Sequence, residues 1–183
     1  MVHSDAGKGA CYNFLMNQKL VIVRGTACTG KTTICKEIRD FDKKIAWVSI
    51  DKIKNIYSDY EDRAMDEVND TAVFTIKHLI DKNYSVIVDG IFKNIKHYED
   101  IVKLALPKNI PVVTYQLECS LETLKIRDKE RDGVKQGLWA PMGDELIESL
   151  YKKVVENPIK GVIRIDTEEK SIDDCVQIIR LSF

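Results

Sequence analysis

Apolar positions along the chain fall into two alternating kinds of run. Short, nearly continuous stretches occur at 20–24 (LVIVR), 45–50 (IAWVSI), 84–90 (YSVIVDG), 110–119 (IPVVTYQLEC) and 161–167 (GVIRIDT). Their length and β-branched content are those of strands buried on both faces. Between them the apolar period lengthens: Met65, Val68, Ala72, Ile76, Leu79 and Ile80 recur at three- and four-residue steps and mark one face of a helix. Further helices are predicted at 32–41, at 99–106 with a stop near Pro107, at 120–131, at 144–156 before Pro158, and at 172–181. The helix at 120 opens with Ser120 followed by Glu122 and reads as a capping box. The stretch DGVKQGLWAPMG at 132–143 has glycines, a proline and little periodicity, which predicts an excursion rather than an element. Strands alternating with helices predict an α/β fold on a mainly parallel sheet.

Composition narrows the class. The 183 residues suit one domain, with 44% hydrophobic and 31% charged residues, as in a soluble globular protein. No repeat or linker divides the chain. Residues 1–17 are expected to form an arm or helix, and 18–183 a single domain whole at Phe183, with a lid at about 127–143. A net charge of −1 supplies no global field for nucleic acid. The five cysteines are odd in number and unpaired in spacing, as expected for reduced thiols. No apolar run reaches the roughly 18–20 residues of a membrane span, and the N-terminus lacks a secretory signal. A cytoplasmic protein without membrane partners is expected; the oligomeric state is not set by the sequence.

The chemistry is concentrated after the first strand. Gly25-Thr26-Ala27-Cys28-Thr29-Gly30-Lys31-Thr32 fits G-x-x-x-x-G-K-[ST] at each fixed position, with a strand before it and a helix after. Such a loop turns its N–H groups toward phosphate, and the helix adds its positive end. Lys31 is expected at the β- and γ-phosphates and Thr32 on Mg²⁺, with Thr33 beside them. Cys28 fills a variable position, or serves as a redox-sensitive thiol if the helix N-terminus lowers its pKa. Asp51 ends the second strand. It stands either as a general base at the mouth of the sheet or as the N-cap of a helix near Lys52. Asp89, after SVIV, matches an acid that holds Mg²⁺, though an apolar strand running into Asp-Gly is also an ordinary turn. Arg127 and Arg131 lie four apart before the excursion, as a phosphate clamp or as part of a solvated charged surface in RDKERD. His78 and His97 are expected on helix surfaces, and Trp139 either stacks on a substrate or packs the lid.

Taken in order, GTACTGKT, DKIK at 51–54, VIVDG, LECSLETLKIRDKER, GLWAPMGDELIESLYKKVVENP and IDT resemble the small P-loop kinases related to the kinase domain of polynucleotide kinase. Zeta toxins and chloramphenicol phosphotransferase-like proteins belong to the same group. The resemblance implies a five-stranded parallel sheet of order 2-3-1-4-5 with helices on both faces and a helical lid. It implies that Asp51 acts as base and that Lys54 contacts an acceptor phosphate, where the group usually has Arg. It carries phosphate-clamping and nucleotide-contacting roles onto Arg127 and Arg131, and places Thr167 near the adenine.

The expected function is therefore ATP- and Mg²⁺-dependent transfer of a γ-phosphoryl group to a hydroxyl. The 5′-hydroxyl of a polynucleotide ranks first as acceptor, and a small molecule (antibiotic, nucleoside or sugar) second. A non-transferring NTPase or nucleotide-regulated binding module is the competing class.

Overall fold

The run LVIVRG has no polar alternation, so it is stable only with both faces covered. In the computed structural model, which describes residues 18–57, 65–131 and 140–183, it forms β1 (Leu20–Gly25), buried throughout. β1 lies at the centre of a five-stranded sheet with β2 (Ile45–Ser49), β3 (Ser85–Gly90), β4 (Val112–Glu118) and β5 (Ile163–Asp166), in the order β2-β3-β1-β4-β5. Each pairing is parallel, as the implied order required. The register sets Arg24 beside Gln116, and Ser49 beside Asp89.

The helices are α1 (Lys31–Arg39), α2 (Ile50–Lys54), α3 (Met65–Asp81), α4 (Ile95–Lys103), α5 (Leu121–Lys129), α6 (Asp144–Glu156) and α7 (Ile172–Arg180). Val21 and Val23 join Ile34 and Ile38 of α1 and Val176 and Ile179 of α7 in one core. Leu20 and Ile22, on the other face, pack with Val68, Ala72, Ile76 and Ile80 of α3 and Ile101 of α4. A third cluster joins Ala27 of the phosphate loop to Leu124 of α5 and Ile147 and Leu150 of α6. Among the described residues no helix is long and apolar enough to cross a membrane.

Three local expectations are corrected. α4 begins at Ile95 because the Asn94 side chain accepts from Lys96 N–H at 3.0 Å, and Pro107 sits in a separate 3₁₀ turn. At α5 the Ser120 side chain accepts from Thr123 N–H (3.2 Å), but Glu122 closes no box. The carboxylate that takes the Ser120 N–H is Glu168, after β5, at 3.1 Å. A true capping box occurs instead at Ser171 and Asp174 of α7. His97 is buried and bonded to Asp66 Oδ1 at 3.0 Å, because α4 turns that face toward α3; His78 is exposed as expected. The arm at 1–17 and residues 132–139 of the expected lid, including Trp139, lie outside the described residues.

Candidate active site

Glycine is required at both ends of the phosphate loop. A Cβ on Gly25 would lie 2.7 Å from Thr29 Oγ1 and 2.8 Å from the Leu117 carbonyl, and Gly30 has φ +84°. Between them Cys28 takes φ +67°, a left-handed conformation that a non-glycine residue adopts only under constraint. The Thr29 hydroxyl donates to the Thr26 carbonyl at 2.9 Å, and Lys31 Nζ donates to the same oxygen at 2.7 Å. Lys31 is 5% exposed. Burial lowers its pKa, and the carboxylates of Asp51 and Asp89 oppose that shift. The loop, Lys31 and both acids therefore share one electrostatic site. Thr33, also in the first turn of α1, is exposed.

Asp89 ends β3 with no exposed surface. Its Oδ2 accepts from the Thr32 hydroxyl at 3.1 Å, and its Oδ1 from the indole N–H of Trp47 at 2.7 Å. Desolvation raises its pKa, while the Trp47 bond and the Lys31 charge pull the other way. Across the register from Asp89, the buried Ser49 hydroxyl makes no close hydrogen bond but lies near enough to the Asp89 carboxylate to help hold its pKa down. The Thr32 hydroxyl, the Asp89 carboxylate and the Ser49 hydroxyl form an all-oxygen donor set that suits a hard cation such as Mg²⁺. Among the described residues no group of three or more carboxylate, imidazole or thiol side chains is poised for a metal.

Asp51 lies inside the first turn of α2, and the N-cap is Ser49, whose side chain makes no cap bond. The N-cap reading of Asp51 is thereby removed. Lys54 is the last residue of α2 and half-buried.

Arg127 of α5 and Arg131, two residues beyond its end, are directed apart. Arg127 donates to the Thr167 hydroxyl (3.0 Å) and the Thr167 carbonyl (2.7 Å), which ties α5 to the turn after β5. Arg131 turns toward the phosphate loop, with Nε 3.6 Å from Asp128 Oδ1 and its charge acting on Cys28. Cys28 has its pKa raised, chiefly by burial, and its Sγ lies 3.6 Å from the same Asp128 oxygen. The redox-sensing expectation, which needs a lowered thiol pKa, is overturned by that burial.

Sequence reasoning missed Trp47, Asp128 and Arg24. Trp47 shares a strand face with Ser49, and that two-residue step was the available signal. Asp128 sits within a run of alternating charge and gives no signal of burial. Arg24 is the one charged residue inside the β1 run. It is fully buried and donates to Gln116 Oε1 (3.0 Å) and to the carbonyls of Ile91 (3.3 Å), Val154 (3.4 Å) and Asn157 (2.7 Å). A cavity of about 340 Å³ opens between α6 and the β4–β5 edge, lined in part by Thr26 and Thr29 of the loop; Lys31, Asp51 and Asp89 are not in its lining.

The chain is similar to L-seryl-tRNA(Sec) kinase of Methanococcus maripaludis, 27% identical over 163 residues, which is 82% of this chain and 60% of that protein. The chain thus spans less than two thirds of the relative's length. Among solved structures, a sugar kinase from Janibacter sp. HTCC2649 superimposes with TM-score 0.68 at 17% identity, covering 90% of this chain and 94% of that one. The Pnkp1/Rnl/Hen1 RNA repair complex gives TM-score 0.63 at 16% identity, covering 81% of this chain and 47% of that one. These structures share the P-loop kinase fold. The family model described as "Chromatin associated protein KTI12" matches residues 19–164, and the chain belongs to that family.

Proposed function

We propose that this protein is an ATP- and Mg²⁺-dependent kinase that transfers the γ-phosphoryl group to a hydroxyl. The observation that carries the reading is the convergence of Lys31, Thr32, Asp51 and Asp89 on one loop, with both acids acting electrostatically on the lysine. In this reading the backbone of 25–32 and Lys31 hold the triphosphate, and Thr32 and Asp89 hold the ion. Bound Mg²⁺ would supply neutralisation of charge on the phosphate oxygens. Asp51 orients the acceptor O–H and takes its proton as the new P–O bond forms and the bond to the β-phosphate oxygen breaks, leaving ADP and a phosphoester. Arg131 serves the phosphates, and Arg127 with Thr167 the nucleoside side. Lys54 meets negative charge on the acceptor.

For the acceptor, the relative named L-seryl-tRNA(Sec) kinase favours a hydroxyl carried on RNA, with an aminoacyl serine as the first candidate. The 5′-hydroxyl of a polynucleotide is the second. Purified protein with γ-labelled ATP and a panel of seryl-tRNA, 5′-hydroxyl oligonucleotide, nucleosides and sugars tests both levels. Labelled seryl-tRNA is expected, with Asp51→Asn slowing transfer by roughly 10²–10⁴-fold. Label on a sugar or nucleoside alone overturns the RNA acceptor. Hydrolysis with no labelled acceptor overturns the kinase reading.

A further inference from the structure

Asp128 is the buried acid for which the transfer reaction has no use. It lies on α5 at 1% exposure, and its two oxygens are divided between different tasks. Oδ2 accepts from the backbone N–H groups of Met142 (2.8 Å) and Gly143 (2.9 Å), where the chain enters α6. Oδ1 faces Cys28 Sγ and Arg131 Nε, each at 3.6 Å. A carboxylate is expensive to bury, and it persists where several donors converge on it. Only one of its oxygens is needed to anchor α6. The other sits between a loop residue held at positive φ and an arginine that bears on the loop.

We propose that Asp128 is a positioning residue of the nucleotide site. It holds Arg131 by the Nε edge and steadies the phosphate loop at Cys28, so that the outer nitrogens of the guanidinium are presented to the phosphates. The contact with Nε leaves the two terminal nitrogens as the fork that suits phosphate oxygens. The proposal rests on the nucleotide site described under Proposed function, but not on transfer to an acceptor.

Asp128→Asn separates the two tasks, because the amide oxygen still accepts from Met142 and Gly143 while the charge beside Arg131 is gone. The test is a thermodynamic cycle of MgATP affinity, measured by equilibrium titration with a fluorescent ATP analogue, for wild type, Asp128→Asn, Arg131→Met and the double variant. Each single variant is expected to weaken binding by about tenfold, and the double variant to be no weaker than Arg131→Met, since residues in one network are non-additive. Wild-type affinity in Asp128→Asn overturns the proposal. So does an equal loss on adding Asp128→Asn to Arg131→Met, which would mark a general structural role. Should Asp128→Asn fail to fold, Arg131→Lys reads the same contact: it lacks Nε and is expected to bind as weakly as Arg131→Met, and full affinity overturns the proposal. Failure of the kinase reading would appear differently, as normal coupling in MgATP binding with no labelled acceptor.

Discussion

At the residue scale, Asp89 shows how a buried acid is kept usable. Desolvation favours its neutral form, and the Trp47 indole donor and the Lys31 charge oppose this by favouring the charged form. The Trp47 ring itself is held by two cations, with Lys52 Nζ 4.1 Å and Arg39 Cζ 5.5 Å from its centroid. Trp47→Phe keeps most of that packing but leaves Oδ1 without its indole donor. Losing such a bond costs roughly 1–2 kcal/mol, so the Mg²⁺ concentration for half-maximal activity is expected to rise about five- to thirtyfold. A magnesium titration of the two proteins checks this; coincident curves would mean that Thr32 alone orients the carboxylate. Asp89 was legible in the sequence because an acid after an apolar strand occupies a fixed place at the mouth of a parallel sheet. Trp47 and Asp128 were not, because their roles depend on which distant element packs over them. Asp128 meets its partners only once the chain returns at Met142 and Gly143.

At the element scale, Arg24 joins the strand that launches the phosphate loop to the last turn of α6. Among the described residues no carboxylate pairs with its guanidinium. It is held by Gln116 and three carbonyls, two of them at the C-terminal end of α6, where the helix dipole favours a cation. Burial lowers its pKa, yet arginine remains charged. Arg24→Met fills similar space and orphans those acceptors, and is expected to cost roughly 2–4 kcal/mol and to lower Tm by roughly 4–16 °C. A melt unchanged by the substitution would show that α6 is anchored by its apolar face alone. A milder, pH-dependent tie joins α3 to the turn before β4: Asp81 pairs with Lys77 and Lys108. Hydrogen bonds from Lys108 and Lys77 lower its pKa to about 2. The folded value lies below the unfolded one, so the stabilisation is present above about pH 4 and fades as pH falls toward 2. Asp81→Asn should lower Tm slightly at pH 7 and at every pH above about 4, with the gap to wild type closing as pH falls to 2; the gap is small because exposed pairs contribute little. The strands and most helices were legible because burial imposes a period on the sequence. The start of α4 was not, because a single Asn94 cap outweighed the apolar pattern that begins at Ile101.

At the scale of the whole molecule, charge bears on the choice of acceptor. A net charge of −1 gives no long-range attraction for a polyanion, so an RNA acceptor has to be drawn by local cations near the mouth of the sheet. The described residues on that side offer Lys52 and Lys54 of α2 and Lys93 beyond β3. Each phosphate neutralised on a single strand contributes about −0.7 to the slope of log affinity against log salt. Three such contacts predict a slope of about −2 for kcat/KM toward an RNA acceptor at saturating ATP, and a neutral small acceptor predicts a slope near 0. Lys54→Met should then flatten the slope by about 0.7, because one contact is lost while Asp51 and the phosphate loop are untouched. A flat salt profile with the preferred acceptor would exclude a polyanion held at the α2 edge. A slope steeper than about −5 would require a footprint well beyond these three lysines, and would move the search for the RNA-binding face away from the mouth of the sheet.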